Sequence, residues 1–329
     1  MNRVFILGAG FSKAINTDMP LLGELSDGVQ YILSDKGIGI GSDLKALGNV
    51  EHWLTLLADP APWLMSSEQM RNSALFNDVS EAIHEVVTAM QIRASIESPP
   101  PWLFDLIDYW DRTKSTVITF NYDCLVELAY EHIKATAVER GLASALYVIP
   151  ITPAALRTSS ILGRIEIETF RLLKLHGSLN WWYSGPESGQ SDVIYELMWT
   201  GKFGDGIIPL WADQDELVTD KLPMLVPPTA TKSIFYRNRL LATQWVQAAK
   251  ALNGADELVL MGYSAPVTDL TVTSLIATIF RGNTIVPVNR DSSIIERVRE
   301  LGNRDNPPDV IEDFIDADAI GKWTATYAI

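Results

Sequence analysis

The chain has 329 residues, 47% hydrophobic and 20% charged, a composition that points to one large or two ordinary globular domains and away from disorder. Its 26 basic and 41 acidic residues leave a net charge of -15, a field that opposes direct binding to nucleic acid or an anionic membrane. A single cysteine, Cys124, excludes an internal disulfide and any zinc site made of cysteines alone, and fits a reducing compartment.

The N-terminal "MNRVFILGAGFSKA" is too short in its apolar run, and too broken by Gly8, Gly10 and Lys13, to read as a secretory signal. No later stretch reaches the roughly 18 to 20 apolar residues needed to span a bilayer. The expected location is therefore the cytoplasm, without a membrane partner. "RVFILGAGFSKA" reads as a strand, a glycine turn and a helix start, the usual opening of a doubly wound α/β domain. Residues 20–112 carry apolar positions at helical spacing and are expected to form a mostly helical insertion. "TVITF" followed by "CLVELAYEHI" returns to strand and helix. Residues 140–225 read as a smaller, irregular middle insertion holding "RIEIETFRLLKL" and the pair Trp181–Trp182. "ELVLMGYSAP" and "NTIVPVNRD" then resume the alternation. The expected fold is one Rossmann-like α/β domain over 1–329, with a doubly wound, mostly parallel sheet interrupted by those two insertions.

In such a sheet, ligands sit beyond the carboxyl ends of the strands, so the polar and glycine residues gathered there are expected to converge on one site. Five strand ends qualify: "GAGFS" (8–12), "FNYD" (120–123), "LHGS" (175–178), "GYS" (262–264) and "VNRD" (288–291). Gly8 permits a tight turn, Gly10 lets a phosphate approach the backbone, and a helix start supplies N–H donors. Lys13 stands where a dehydrogenase fingerprint has its third glycine, which disfavours hydride transfer. Asn121 and Asp123 read either as an Asx turn capping the next helix or as ligands to a ribose, a water or an amide. His176, at a turn, reads either as a structural histidine or as a general base near neutral pH. No phosphate-binding P-loop, zincin pair, nucleophile elbow or metal constellation is present in the sequence.

Taken in order, "GAGFS", "TFNYD", "KLHGSLNW", "GYSAPVTD" and "VNRD" resemble the sirtuin-like NAD-binding family, and more closely its bacterial branch of NAD-hydrolysing effectors in anti-phage defence. The resemblance implies NAD as substrate, no metal, and an NAD glycohydrolase releasing nicotinamide and ADP-ribose. It assigns Gly8, Ala9, Gly10 and Ser12 to the phosphate loop and Asp123, with Asn121, to the nicotinamide ribose. Asn121 and His176 become the catalytic pair. Gly262, Ser264 and Asn289 fall to the adenosine half. It further implies a homo-oligomer or a separate sensor or activator, such as a HerA-type ATPase or an Argonaute-like protein. The sequence departs from protein-deacylating sirtuins in lacking their four zinc cysteines and in carrying Phe120 where they have glutamine. Protein deacylation and a non-catalytic NAD or ADP-ribose sensor remain the alternatives.

Overall fold

The computed structural model describes the chain apart from residues 47, 60, 135–142, 154–167, 186–187, 189–191, 198, 210–219, 230–231, 233–234, 267, 302–306 and 329. Strand β1 (Arg3–Leu7) is apolar on both sides, so it can only sit inside a sheet covered on both faces. After Gly8 comes α1 (Ala9–Ile15), followed by α2 (Leu22–Asp35), α3 (Ser42–Ala46), α4 (Val50–Ala58), the 31-residue α5 (Ser66–Ile96) and α6 (Pro101–Thr113). Thus 20–112 is helical, and it forms the crossover between β1 and β2 (Thr116–Thr119). Pro101 starts α6 where its missing N–H costs nothing, and Lys114 ends it with a left-handed backbone.

Helix α7 (Leu125–Lys134) leads to β3 (Thr152–Pro153), β4 (Arg171–Lys174), β5 (Gly177–Tyr183), β6 (Tyr195–Glu196), β7 (Trp199–Lys202), β8 (Gly206–Pro209) and β9 (Leu222–Leu225). The last third runs α8 (Arg239–Asn253), β10 (Glu257–Met261), α9 (Leu270–Ile279), β11 (Thr284–Val288), α10 (Ile294–Leu301), β12 (Asp309–Val310) and α11 (Ala319–Tyr327). No helix among the described residues is long and apolar enough to cross a membrane.

The main sheet has six parallel strands in the order β12-β11-β10-β1-β2-β4. Renumbered within the sheet alone, this is the 3-2-1-4-5-6 order of doubly wound dinucleotide-binding folds, reversing direction between β1 and β10. Alternate residues of each strand feed two cores. Phe5, Leu7, Val117 and Met261 pack under α1, α2 and the helical crossover. Val4, Ile6, Ile118, Leu173 and Leu260 pack under α8, α9 and α10. The sheet therefore has helices on both faces, as the alternating sequence pattern predicts.

One expectation needs correction. The stretch 140–225 is neither wholly an insertion nor wholly irregular: it contains β4, the last strand of the main sheet, and the whole of a second, four-stranded sheet ordered β3-β6-β5-β9. Its strands are short and pair mostly with partners distant in sequence, so no local periodicity announces them. The first four residues of "RIEIETFRLLKL" lie outside the described residues.

Candidate functional site

All five predicted strand ends lie at the carboxyl edge of the main sheet, because all six strands run the same way. At the centre, the turn between β1 and α1 packs directly on the loop after β10. Gly8 N–H donates to the Met261 carbonyl (3.1 Å) and Gly10 N–H to the Gly262 carbonyl (2.9 Å). A Cβ on Gly8 would stand 2.6 Å from the Tyr263 Cα, and one on Gly10 would stand 2.8 Å from the Gly262 oxygen. Gly262 itself has φ +59°, a left-handed backbone that favours glycine. These three glycines are thus required by the approach of two backbone loops, a reason independent of any phosphate. Ala9 is exposed.

Beside this turn, Ser12, Asn121 and Asp123 form one hydrogen-bonded unit. Asn121 Nδ2 donates to the Gly8 carbonyl (2.8 Å) and to Ser12 Oγ (2.8 Å), and Ser12 Oγ donates to Asp123 Oδ2 (2.7 Å). The other Asp123 oxygen accepts from Leu125 N–H (3.2 Å), capping α7. The Asx-turn reading of Asp123 is met by one oxygen, while the other is held by Ser12. Burial pushes the Asp123 carboxyl above its ordinary range, against the pull of Lys174 and of the bonds from Ser12 and Leu125. From the helical crossover, Gln91 accepts the Cys124 N–H (2.5 Å), tying α5 to this loop.

His176 lies on the turn from β4 into β5, next to β2: Leu175 N–H donates to the Thr119 carbonyl (3.1 Å). It is buried, only 6% exposed. Its ring is flanked by Phe120 (5.0 Å between centroids) and Trp245 of α8 (6.5 Å), and Phe120 in turn meets Tyr263 (5.3 Å). Among the described residues the buried Nε2 has no hydrogen-bond partner. Desolvation, helped by Lys232, holds this imidazole well below its ordinary pKa, so it is neutral at physiological pH. Lys232 is itself paired with Asp269 (3.2 Å).

Asn121 and His176 thus occupy neighbouring strand ends on the same edge with separate partners: Gly8 and Ser12 for the carboxamide, Phe120 and Trp245 for the ring. The carboxamide turns toward α1 and the imidazole toward α8, with Phe120 beside the latter. At the far side, Asn289 Nδ2 donates to the Tyr263 carbonyl (3.3 Å), which links the β11 end to the β10 loop, while Ser264 is exposed. Trp181 and Trp182, which follow His176 closely in sequence, do not wall this site. They lie on β5 and pack against Tyr147 (5.0 Å) and His84 (5.4 Å).

Sequence reasoning missed Lys174, Glu127, Gln244 and Trp245. Lys174 and Glu127 left a trace, each being a lone charge in an otherwise apolar run, "LLKL" and "CLVELAY". In the structure they form a buried ion pair of 2.8 Å. Among the described residues, no group of three or more His, Cys, Asp or Glu is placed to hold a metal ion.

No family model matches the chain, and no curated protein matches it. Among solved structures, it is similar to a Sir2 homologue in complex with NAD, at 14% identity and a TM-score of 0.40, covering 100% of this chain and 91% of that one. It is also similar to a Sir2 homologue mutant in complex with 2′-O-acetyl-ADP-ribose, at 15% identity and a TM-score of 0.44, covering 99% and 93%. Likenesses this distant carry no conclusion about chemistry, and the fold is read from the sheet itself.

Proposed function

We propose that this chain hydrolyses the bond between nicotinamide and ribose in NAD, releasing nicotinamide and ADP-ribose. The observation that carries the reading is the pairing, on adjacent strand ends of a sheet with dinucleotide-binding strand order, of the Asn121–Ser12–Asp123 unit with a neutral, unpartnered His176 Nε2. Fold order alone would be analogy. His176 Nε2 is one of several buried side-chain atoms without a partner among the described residues, and its place at the carboxyl edge of the sheet, beside the Asn121 loop, sets it apart from the others.

Cleavage passes through an oxocarbenium-like transition state with a neutral leaving group, so the site needs positioning and a base more than a strong acid. In this reading His176 Nε2 takes the proton of a ribose hydroxyl or of the attacking water. Asn121, its donors anchored on Gly8 and Ser12, offers its carbonyl oxygen to the same ribose or water. Gly8, Ala9, Gly10 and Ser12 border the phosphates, Asp123 supports the nicotinamide ribose, and Gly262, Ser264 and Asn289 border the adenosine half. Substrate entry requires the Phe120 ring to turn away from His176.

An unrestrained NAD hydrolase would poison its own cell. The reading therefore includes activation by self-assembly or by a separate sensor protein, in the cytoplasm, as the NAD-depleting arm of a bacterial anti-phage defence system. A HerA-type ATPase or an Argonaute-like protein are the partner types that the motif resemblance brings with it. The closed surroundings of His176 favour one second reading, a sensor that binds NAD or ADP-ribose without turnover. Chromatography of NAD incubated with the wild type and with Asn121→Ala, with and without the product of a neighbouring gene, separates the two. Nicotinamide and ADP-ribose in equal amounts, lost in the variant, support hydrolysis. Tight binding with NAD intact under every condition supports the sensor.

A further inference from the structure

We infer that Lys174 is a positioning residue, a clamp that fixes the Asn121 loop against the His176 turn; the inference rests on the reading that these two residues work on one substrate. Lys174 ends β4, two residues before His176, and its side chain is fully buried. Its Nζ donates to the Asp123 carbonyl (2.6 Å) and to the Tyr122 carbonyl (3.4 Å), the two residues directly after Asn121. The third direction of the ammonium is taken by Glu127 Oε1 (2.8 Å) on α7. One side chain therefore spans the two strand ends that carry the candidate chemistry.

The backbone of the clamp is held as firmly as its tip. β4 is the last strand of the main sheet, and its outer side meets backbone only in a single bridge between Leu172 and Tyr147 among the described residues. At Lys174 a buried glutamine of α8 takes the place of a neighbouring strand: Gln244 Oε1 accepts the Lys174 N–H (2.9 Å) and its Nε2 donates to the Lys174 carbonyl (3.0 Å). The adjacent residue on α8 is Trp245, which flanks His176. A second, parallel tie runs through Tyr122. Its hydroxyl donates to the Val226 carbonyl (2.6 Å), and Val226 N–H donates to the His176 carbonyl (2.8 Å).

The charge state suits this task. Burial by itself would lower the lysine, but Cys124, Glu127 and Asp123 around it outweigh that and keep it a cation with three donors. A buried ion pair is a weak source of net stability, since the desolvation of both charges offsets their attraction. Geometry is the better reason for placing one behind a site.

The test compares three full-length variants. Glu127→Gln leaves both carbonyl contacts of Lys174 in place, and turnover of NAD is expected within threefold of wild type even if Tm falls. Lys174→Met strands the Glu127 charge and is expected to unfold easily. Lys174→Met/Glu127→Leu removes both charges, and is expected to regain most of that Tm while turnover stays roughly 10- to 100-fold down with KM within threefold, the signature of misplaced groups. Hydrogen exchange gives a readout without activity: amides of 120–125 and 175–178 are expected to exchange at least tenfold faster in the double variant, with 257–261 unchanged. Unchanged exchange in both segments, or wild-type turnover in a well-folded double variant, overturns the clamp. A wild type that never consumes NAD overturns the hydrolase reading instead, and leaves the exchange comparison to decide the clamp.

Discussion

Replacing Ser12 with alanine isolates the hydrogen-bonded unit at the β1–α1 turn. Ser12 is 3% exposed, and its hydroxyl both donates to Asp123 Oδ2 (2.7 Å) and accepts from Asn121 Nδ2 (2.8 Å). Losing the bond to a carboxylate costs about 1.5–3 kcal/mol, and stranding one amide hydrogen of Asn121 adds about 1 kcal/mol. The sum, roughly 3 kcal/mol, corresponds in a chain of this size to a Tm lower by about 4 °C. The penalty also has a predicted pH dependence. Burial already raises the Asp123 carboxyl in the folded state, and losing the Ser12 donor raises it further. A carboxyl raised on folding binds more protons folded than unfolded, so its stabilising contribution is present at low pH and is lost as pH rises toward the folded pKa. The Ser12→Ala penalty is therefore larger at pH 8 than at pH 5. Calorimetry or urea unfolding at both values measures it. A change below about 0.5 kcal/mol, or a larger penalty at pH 5, would refute the network.

Other expectations follow from the same geometry. Gly262→Ala forces a side chain onto a left-handed backbone, about 1–2 kcal/mol by itself, and drives its Cβ into the Phe11 nitrogen and the Gly10 backbone. Its Tm is expected to fall well below that of Gly254→Ala, a glycine with a negative φ whose Cβ would make only ordinary van der Waals contacts. His176, neutral when folded and ordinary when unfolded, makes the unfolded chain bind more protons below pH 6.5, so stability falls with acidity there by up to about 1.4 kcal/mol per pH unit. His176→Asn should flatten that part of the Tm-against-pH curve, and an unchanged slope would mean the imidazole is accessible. His176→Ala should lower NAD turnover by about 10²- to 10⁴-fold, the worth of general-base help, whereas near wild-type turnover would remove the base from the mechanism.

Much of this arrangement can be read from the chain, and its gaps have physical causes. β1, β2, β10 and β11 are short apolar or β-branched runs followed within two residues by Gly or Asn, a local signal that needs no partner to be visible. Their ends give most of the candidate site: Gly8, Asn121, Asp123, Gly262 and Asn289 are where a parallel sheet must deliver them. The second sheet is hidden because β5 pairs with β9 about forty residues away and β6 has two residues, too short for any period. The burial of His176 is hidden because it depends on Phe120, Trp245 and Tyr263, which come from three separate parts of the chain. Ser12 could be nominated by motif, but its bridging role emerges only when α1 meets the Asn121 loop. Lys174 and Glu127 show that a lone charge inside an apolar run is worth pairing with another such charge before either is assigned to solvent.

The account turns on whether Asn121 and His176 address the same ligand. A structure of the full chain with ADP-ribose tests this most directly. Phe120 is expected to have left His176, with ribose oxygens within hydrogen-bond distance of both the Asn121 carboxamide and the His176 Nε2, and the diphosphate beside Ala9 and Gly10. ADP-ribose bound elsewhere, or bound at this edge with Phe120 still covering the imidazole, would contradict it.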